Sequence, residues 1–491
     1  MVRSAYQSDV TAPLALMGEN YGAHRCEEVG RNPVRQQRTV TRTDEASPAP
    51  TVQSTRAMDT LKRVMGLPSA TALVVGTILG STVFVQASEL TSLVPSRVLV
   101  IAAWAAAGLL TLVGALVCAE LASAFPRTGG VYVFFRDLYS PAFGFVWGWA
   151  MFWTMHSGIL AAIAMVFARY AGFFIPLDDT TSRIVAVAVI AVLSAINYFG
   201  VTFGSGLQTG VTAVKLFAVA VIMVLGFAFA PAHAVPVDAT LPPVTLANFL
   251  LAVGAGLFAY GGWHVVTYTA GETIDPARTI PRALQIGIVI VTLCYMGLNI
   301  VYLMVLPIRS VMTSTRVAAD TFEMLFGPGA AGVISALVLF SAFGALNGLV
   351  LAAPRVYYQM AQDKLWFAIA NHLHPVYRTP DRAIVLQAVW SAVLVMTGTY
   401  RTLFTRVIYT EWIFFAMLAW GVLRMRRRPD YQPAWRMPLV PAAPLVFILV
   451  ALTIVINQIR VDVLGAVMGL GIVATGFPAY YLWATRHETP R

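Results

Sequence analysis

Charge is what this sequence has least of. Of its 491 residues only 11% are Asp, Glu, Lys or Arg, against roughly a quarter in a soluble domain, so the chain cannot cover itself with a solvated surface. Lysine is scarcer still: among 33 basic residues only Lys62, Lys215 and Lys364 are lysines. Cysteine is confined to Cys26, Cys118 and Cys294, too few and too scattered for a disulfide framework or a metal site, and two of them fall in apolar stretches where packing is their ordinary role. The chain has no His-Glu-x-x-His pair, no Gly-x-Ser-x-Gly elbow and no carboxylate pair within its apolar segments, which excludes the usual signatures of an integral-membrane enzyme. No catalytic residue, metal or cofactor is expected. A net charge of +10 would suggest nucleic acid in a soluble protein. Here the basic residues lie between apolar segments, so no nucleic-acid partner is expected.

What the chain has instead is apolar length, with 58% of its residues hydrophobic. Read in a window of about 19 residues, it gives about twelve membrane spans: 68–94, 98–124, 142–172, 183–200, 208–230, 246–271, 283–306, 331–361, 382–399, 402–425, 439–459 and 462–484. Arg401 and Arg406 crowd the junction of the ninth and tenth, the weakest border. The loops that hold Arg127, Arg136, Arg278, Arg282, Lys364, Arg378 and Arg382, then Arg424, Arg426, Arg427, Arg428 and Arg436, are the basic side. The opposite loops hold Arg97, Arg183, Arg309, Arg316, Arg401, Arg406 and Arg460. The positive-inside rule then places both termini in the cytoplasm of a multi-pass cell-membrane protein.

Residues 1–57 are polar, of mixed charge and without periodicity, and read as a disordered cytoplasmic tail, dispensable or an over-extended start before Met58. A regulatory tail is the competing reading. Residues 58–485 form the transmembrane domain and 486–491 a short cytoplasmic end. The longest loop is expected near 307–330, where Gly327 and Pro328 mark a turn.

Two apolar segments are interrupted at mid-length: one at Gly76-Thr77-Ile78-Leu79-Gly80-Ser81-Thr82, the other at Phe258-Ala259-Tyr260-Gly261-Gly262-Trp263. A helix broken at bilayer depth exposes N–H and C=O groups that hydrocarbon cannot solvate, so each break needs a cavity, an ion or a substrate. Paired breaks in two halves point to the central site of a secondary transporter built from inverted repeats.

Four stretches resemble the L-amino-acid transporter branch of the amino acid–polyamine–organocation superfamily. They are Gly76 to Phe84; Ala119-Glu120-Leu121 with Pro126 to Tyr132; Phe258 to Trp263 with Gly271 to Pro281; and Phe343 to Gly348 followed by Arg355. The resemblance implies an all-α, leucine-transporter-type fold: a 5+5 inverted repeat with two extra C-terminal helices, carrying amino acids by alternating access. It places Ile78, Gly80, Ser81 and Thr82 around the substrate carboxylate, a role that suits the N–H groups and positive dipole end of a half-helix. Thr82 departs from the family, which usually has a second glycine there. Phe258 matches the aromatic gate and Gly261 a small residue of the side-chain pocket, with Ala259 between them. Lys215 matches a lysine that takes the place of a sodium ion beside the first break. By itself, a lysine so deep in a span marks a functional position or snorkels to the interface.

Other positions stay open between two roles. His156 and His264 are pathway groups able to carry protons or neutral histidines bonded within the bundle. Glu120 and Arg355 read as gate or structural ion-pair members. Glu411 is either a buried carboxylate able to recognise a cationic side chain or, by its proximity to Arg406, an interfacial partner of that arginine, which is the preferred reading; the stretches of the two breaks hold no acid, which favours neutral substrates.

The expected function is transport of neutral L-amino acids by exchange or proton coupling. The alternatives are a sodium-coupled symporter or a non-transporting amino acid sensor on the same fold. Animal members of this branch bind a single-span glycoprotein through a cysteine between the third and fourth spans. The corresponding loop here, Phe174 to Ser182, has no cysteine, so no disulfide-linked heavy-chain subunit is expected. The remaining partners are the amino acid substrate and the lipid bilayer.

Overall fold

The computed structural model describes residues 63–80, 82–229, 241–314, 316–397 and 400–487. The expectation for residues 1–57 therefore lies outside the described residues.

The described chain is helical. Its order is α1 (Leu67–Ile78), α2 (Thr82–Leu93), α3 (Arg97–Ala124), α4 (Val131–Leu138), α5 (Pro141–Ala150), α6 (His156–Ala171), α7 (Asp179–Tyr198), α8 (Val201–Phe229) and α9 (Leu246–Ala259). Then follow α10 (Pro276–Val305), α11 (Ile308–Thr313), α12 (Val317–Phe326), α13 (Pro328–Ala352), α14 (Pro354–Gln362), α15 (Asp381–Thr397), α16 (Tyr400–Met425), α17 (Ala442–Val461), α18 (Val463–Ala474) and α19 (Gly476–His487). A π turn, Met151–Met155, joins α5 to α6, and a 3-10 segment, Trp263–Glu272, follows α9. Among the described residues nine helical segments are long and apolar enough to cross a membrane. The other three expected spans hold α1 with α2, α15, and α16. The loop expected near 307–330 contains α11 and α12, so the chain there stays helical between turns.

Local chemistry sets the ends of these elements. Side chains of Asp178, Thr245 and Asp462 accept from backbone N–H groups three residues on, at 2.7, 3.1 and 2.9 Å, which satisfies donors that a helix start leaves free. Prolines 141, 276, 328 and 354 stand in first turns, where no N–H is needed.

Helix α1 lies in the middle, packed against α8, α10 and α13. Glycine permits this approach: a Cβ on Gly76 would fall 2.0 Å from Gln208 Nε2, and one on Gly348 only 2.3 Å from Thr77 Cγ2. Buried amides fill the seam between α7, α8 and α13. Asn197 Nδ2 donates to Asn347 Oδ1 at 2.8 Å, and Asn347 Nδ2 donates to Gln208 Oε1 at 3.0 Å and to the Gly204 carbonyl at 3.1 Å. These bonds cross three helices and so tie their register inside an apolar bundle, although Asn197 Oδ1 and Gln208 Nε2 are left without a partner among the described residues.

Candidate functional site

The two interrupted segments come together at the centre of the bundle. Helix α1 stops at Ile78; the Leu79 N–H still reaches the Val75 carbonyl at 2.7 Å, and the next described helix, α2, runs from Thr82. Helix α9 stops at Ala259, the Gly261 N–H turns back to the Phe258 carbonyl at 2.9 Å, and Gly262 takes a left-handed φ of +96°. That conformation is the reason for a glycine at 262, since a Cβ is disfavoured there.

The carbonyls freed by both breaks have identifiable donors. The Tyr295 hydroxyl of α10 lies 2.7 Å from the Ile78 carbonyl and 2.9 Å from the Ala259 carbonyl, so one proton is shared between the two breaks. Thr77 Oγ1 lies 3.3 Å from the Gly262 carbonyl but donates within α1, to the Leu73 carbonyl at 2.7 Å. Lys215 Nζ donates to the Gly76 carbonyl at 3.0 Å and the Leu79 carbonyl at 2.7 Å, and Ser341 Oγ reaches the same Leu79 carbonyl at 3.3 Å. Lys215 is 2% exposed, so its nitrogen is held on the break and does not snorkel.

A cavity of about 20 Å³ lies between the breaks, room for about one water molecule. Thr77 and Ile78 line it from α1, Phe258, Ala259, Gly261 and Gly262 from the second break, Ile159 and Ile163 from α6, Leu349 from α13, and Glu411 from α16. Gly80 is buried within the first break. The readings of Ser81 and of the Thr82 side chain lie outside the described residues. A larger groove of about 690 Å³ runs between Trp420, Arg424, Arg427 and Leu445 and shares no lining residue with this cavity.

His156 and His264 meet beside the cavity, their rings 5.7 Å apart and nearly parallel. Glu411 corrects the sequence reading: it is 3% exposed and lines the cavity, with His264 Nε2 at 3.8 Å from its Oε1. The Arg406 side chain expected to pair with it lies outside the described residues. The interfacial reading rested on sequence proximity, whereas the helix carries Glu411 onto the face turned toward α6 and the second break.

Ion pairs tie helices together at the basic end of the bundle. Arg355 Nε and Nη2 donate to the two Glu272 oxygens at 2.6 and 2.8 Å, and both side chains are buried. Directly beside this pair, the Val64 and Met65 N–H groups donate to the Glu272 carbonyl, each at 2.9 Å, and the Ile274 N–H donates to the Met65 carbonyl at 2.8 Å. Glu120 belongs elsewhere. It accepts from Arg426 Nε at 2.9 Å, Arg426 Nη2 at 2.5 Å and the Met437 N–H at 2.8 Å, tying α3 to the chain beyond α16. Its hydrogen bonds raise the Arg426 pKa above the ordinary guanidinium value. The Gly129-Gly130 turn tucks under the second break: the Gly129 N–H meets the Tyr268 carbonyl at 3.3 Å, and a Cβ on Gly130 would sit 2.2 Å from Thr267 Oγ1.

Tyr295, Thr77, Ser341 and the pairing of Glu272 with Arg355 were not anticipated. A tyrosine in an apolar helix carries no signal that separates bridging from packing. Glu272 did carry one, as a carboxylate directly after an apolar segment.

Comparison with known proteins agrees with this arrangement. Residues 65–482 match the family model described as amino acid permease. The chain is 31% identical over 425 residues to the serine/threonine exchanger SteT of Bacillus subtilis (strain 168), an alignment covering 86% of this chain and 97% of that protein. It is 28% identical over 447 residues to the human large neutral amino acids transporter small subunit 2, covering 88% and 82% of the two chains. It is also 28% identical over 407 residues to the human b(0,+)-type amino acid transporter 1, covering 81% and 83%.

Proposed function

Because the chain belongs to the amino acid permease family, we propose that it moves neutral L-amino acids across the cell membrane by alternating access, as an exchanger or with proton coupling. The observation that carries this reading is the meeting of two broken helices on one cavity, joined by the Tyr295 hydroxyl. In this reading the twelve segments form a 5+5 inverted repeat followed by two further helices, with both termini cytoplasmic.

The substrate carboxylate takes the N-terminus of α2, at Gly80, Ser81 and Thr82, where helical N–H groups have no carbonyl of their own. The substrate ammonium faces the carbonyls from Phe258 to Gly261. Phe258 closes over the substrate. The cavity holds only about 20 Å³, so an end of the bundle must open and widen it before an amino acid enters. At the basic end, opening separates the Glu272–Arg355 pair and the backbone contacts of Met65.

Sodium coupling is disfavoured by Lys215, whose nitrogen occupies the Gly76 and Leu79 carbonyls that a cation would need. The resemblance to a serine/threonine exchanger supports exchange. Reconstitution in liposomes tests the reading. Uptake of a labelled neutral amino acid is expected to rise with unlabelled amino acid inside, or with an inward proton gradient, and to be unchanged by replacing sodium with choline. Binding without flux under every gradient would instead identify a sensor.

A further inference from the structure

The groove at the basic end of α16 and α17 takes no part in holding the two breaks. Trp420, Leu423, Arg424 and Arg427 line one side of it and Val440, Pro441 and Leu445 the other, around a volume of about 690 Å³. Positions 420, 423, 424 and 427 recur at helical spacing, and the Arg427 N–H donates to the Arg424 carbonyl at 3.3 Å, which carries the turn past the end of α16. One stripe thus runs from an indole and a leucine to two guanidinium groups. Trp420 is 53% exposed and Leu445 46%. From Leu445 an open face of α17 continues through Leu449, Leu452 and Ile456, all exposed within a helix long and apolar enough to span a membrane. Only hydrocarbon suits that face, so the groove opens directly onto the acyl chains of a bilayer.

Its mouth carries positive charge that the protein leaves unanswered. Arg424 and Arg427 are exposed, and among the described residues neither pairs with a carboxylate. Arg426, between them in sequence, is held by Glu120. From 424 to 436 the chain has five arginines and a single acid, Asp430. Guanidinium forks match phosphate oxygens, and tryptophan favours the depth of the headgroups. Basic recesses beside transmembrane helices suit anionic headgroups for the same reason. We propose that this groove binds one anionic phospholipid, with its phosphodiester on Arg424 and Arg427 and an acyl chain along Trp420, Leu445 and Leu449. The proposal needs only a membrane-embedded chain and does not rest on the transport reading. A soluble phosphate would use the arginines and leave the apolar walls bare. A zwitterionic lipid would cover the walls but bring a compensating ammonium to the two arginines.

Native mass spectrometry of the purified full-length protein counts the lipid retained after addition of dioleoyl phosphatidylglycerol or of dioleoyl phosphatidylcholine, which has the same chains. The wild type is expected to retain phosphatidylglycerol in preference. Arg424→Gln and Arg427→Gln should each weaken its retention about fivefold, and together about thirtyfold, the size expected for one and for two basic residues beside an anionic headgroup. Retention of phosphatidylcholine should stay unchanged in these variants, whereas Trp420→Ala should weaken both lipids. Arg428→Gln removes the same charge from outside the lining and should leave the preference standing. Where the double glutamine variant fails to fold, Arg424→Lys with Arg427→Lys replaces it, keeping charge and losing the fork, with a partial loss expected. Equal retention of the two lipids by the wild type, or a loss in Arg428→Gln as large as in the double variant, would overturn the site. So would displacement of phosphatidylglycerol by millimolar inorganic phosphate at constant ionic strength, which would make it a soluble-anion site. An anionic preference that emerges only once residues 1–57 are removed would assign the groove to the chain's own tail and equally overturn the proposal.

Discussion

Lys215 shows how one side chain can answer a backbone that hydrocarbon would not tolerate. Its nitrogen serves the Gly76 and Leu79 carbonyls. Removing it in Lys215→Ala leaves the Gly76 carbonyl without that donor, at about 1–3 kcal/mol, and the Leu79 carbonyl with only the Ser341 hydroxyl at 3.3 Å. We expect a lowered melting temperature and a loss of exchange of at least tenfold, measured by thermal unfolding in detergent and by liposome uptake. Wild-type exchange by this variant would remove Lys215 from the mechanism. Tyr295 is the corresponding bridge on the other side. Tyr295→Phe keeps the ring against Trp104 and Tyr260, with centroids 5.1 and 4.9 Å away, and deletes only the hydroxyl. It should lower stability by about 1–2 kcal/mol, read from unfolding curves. Lys215 was legible because a lone lysine in an apolar run has no bland explanation except snorkelling. Tyr295 was not, because a tyrosine has a bland explanation everywhere.

At the scale of elements, the end of the second broken segment is sewn to the chain before the first. The Glu272–Arg355 pair is bidentate and buried, and the Met65 strand-like contact runs directly beside it. Breaking such a pair by removing one partner leaves a charge buried alone, a loss of about 3–5 kcal/mol. Arg355→Met should therefore weaken closure of this end. With Cys26, Cys118 and Cys294 replaced by alanine and Ile159 by cysteine, a thiol reagent should label the cavity several-fold faster in the Arg355→Met background. Equal labelling rates would show that the pair does not hold the end shut. Both members lie in motifs visible in the sequence, yet their pairing was not visible. They stand 83 positions apart, and only the docking of α14 under the 3-10 segment brings them together. Glu120 and Arg426, 306 positions apart, repeat the lesson on α3.

For the whole molecule, a cavity of about 20 Å³ implies that substrate binds a rearranged form and stabilises it by mass action. An amino acid present at 100 times its Kd should add about 2.7 kcal/mol. A thermal-shift panel of the twenty amino acids is therefore expected to raise the melting temperature for a few substrates and leave it unchanged for the rest. No shift with any of them would count against a binding site at the breaks.

The sequence by itself determined that the chain is a helical membrane protein, where its apolar segments lie and where two of them break. Those properties follow from short-range composition: hydrocarbon demands long apolar runs, and glycine with small polar residues in the middle of one cannot be accidental. The tertiary structure alone decided which groups face the breaks. Tyr295 joined them, Glu272 took Arg355, and Glu411 turned from an expected surface pair into the wall of the cavity. The physical reason is that a partner is chosen by helix packing, which depends on volumes and close approaches such as Gly76 on Gln208 and Gly348 on Thr77. No local pattern records which helix will arrive at that face.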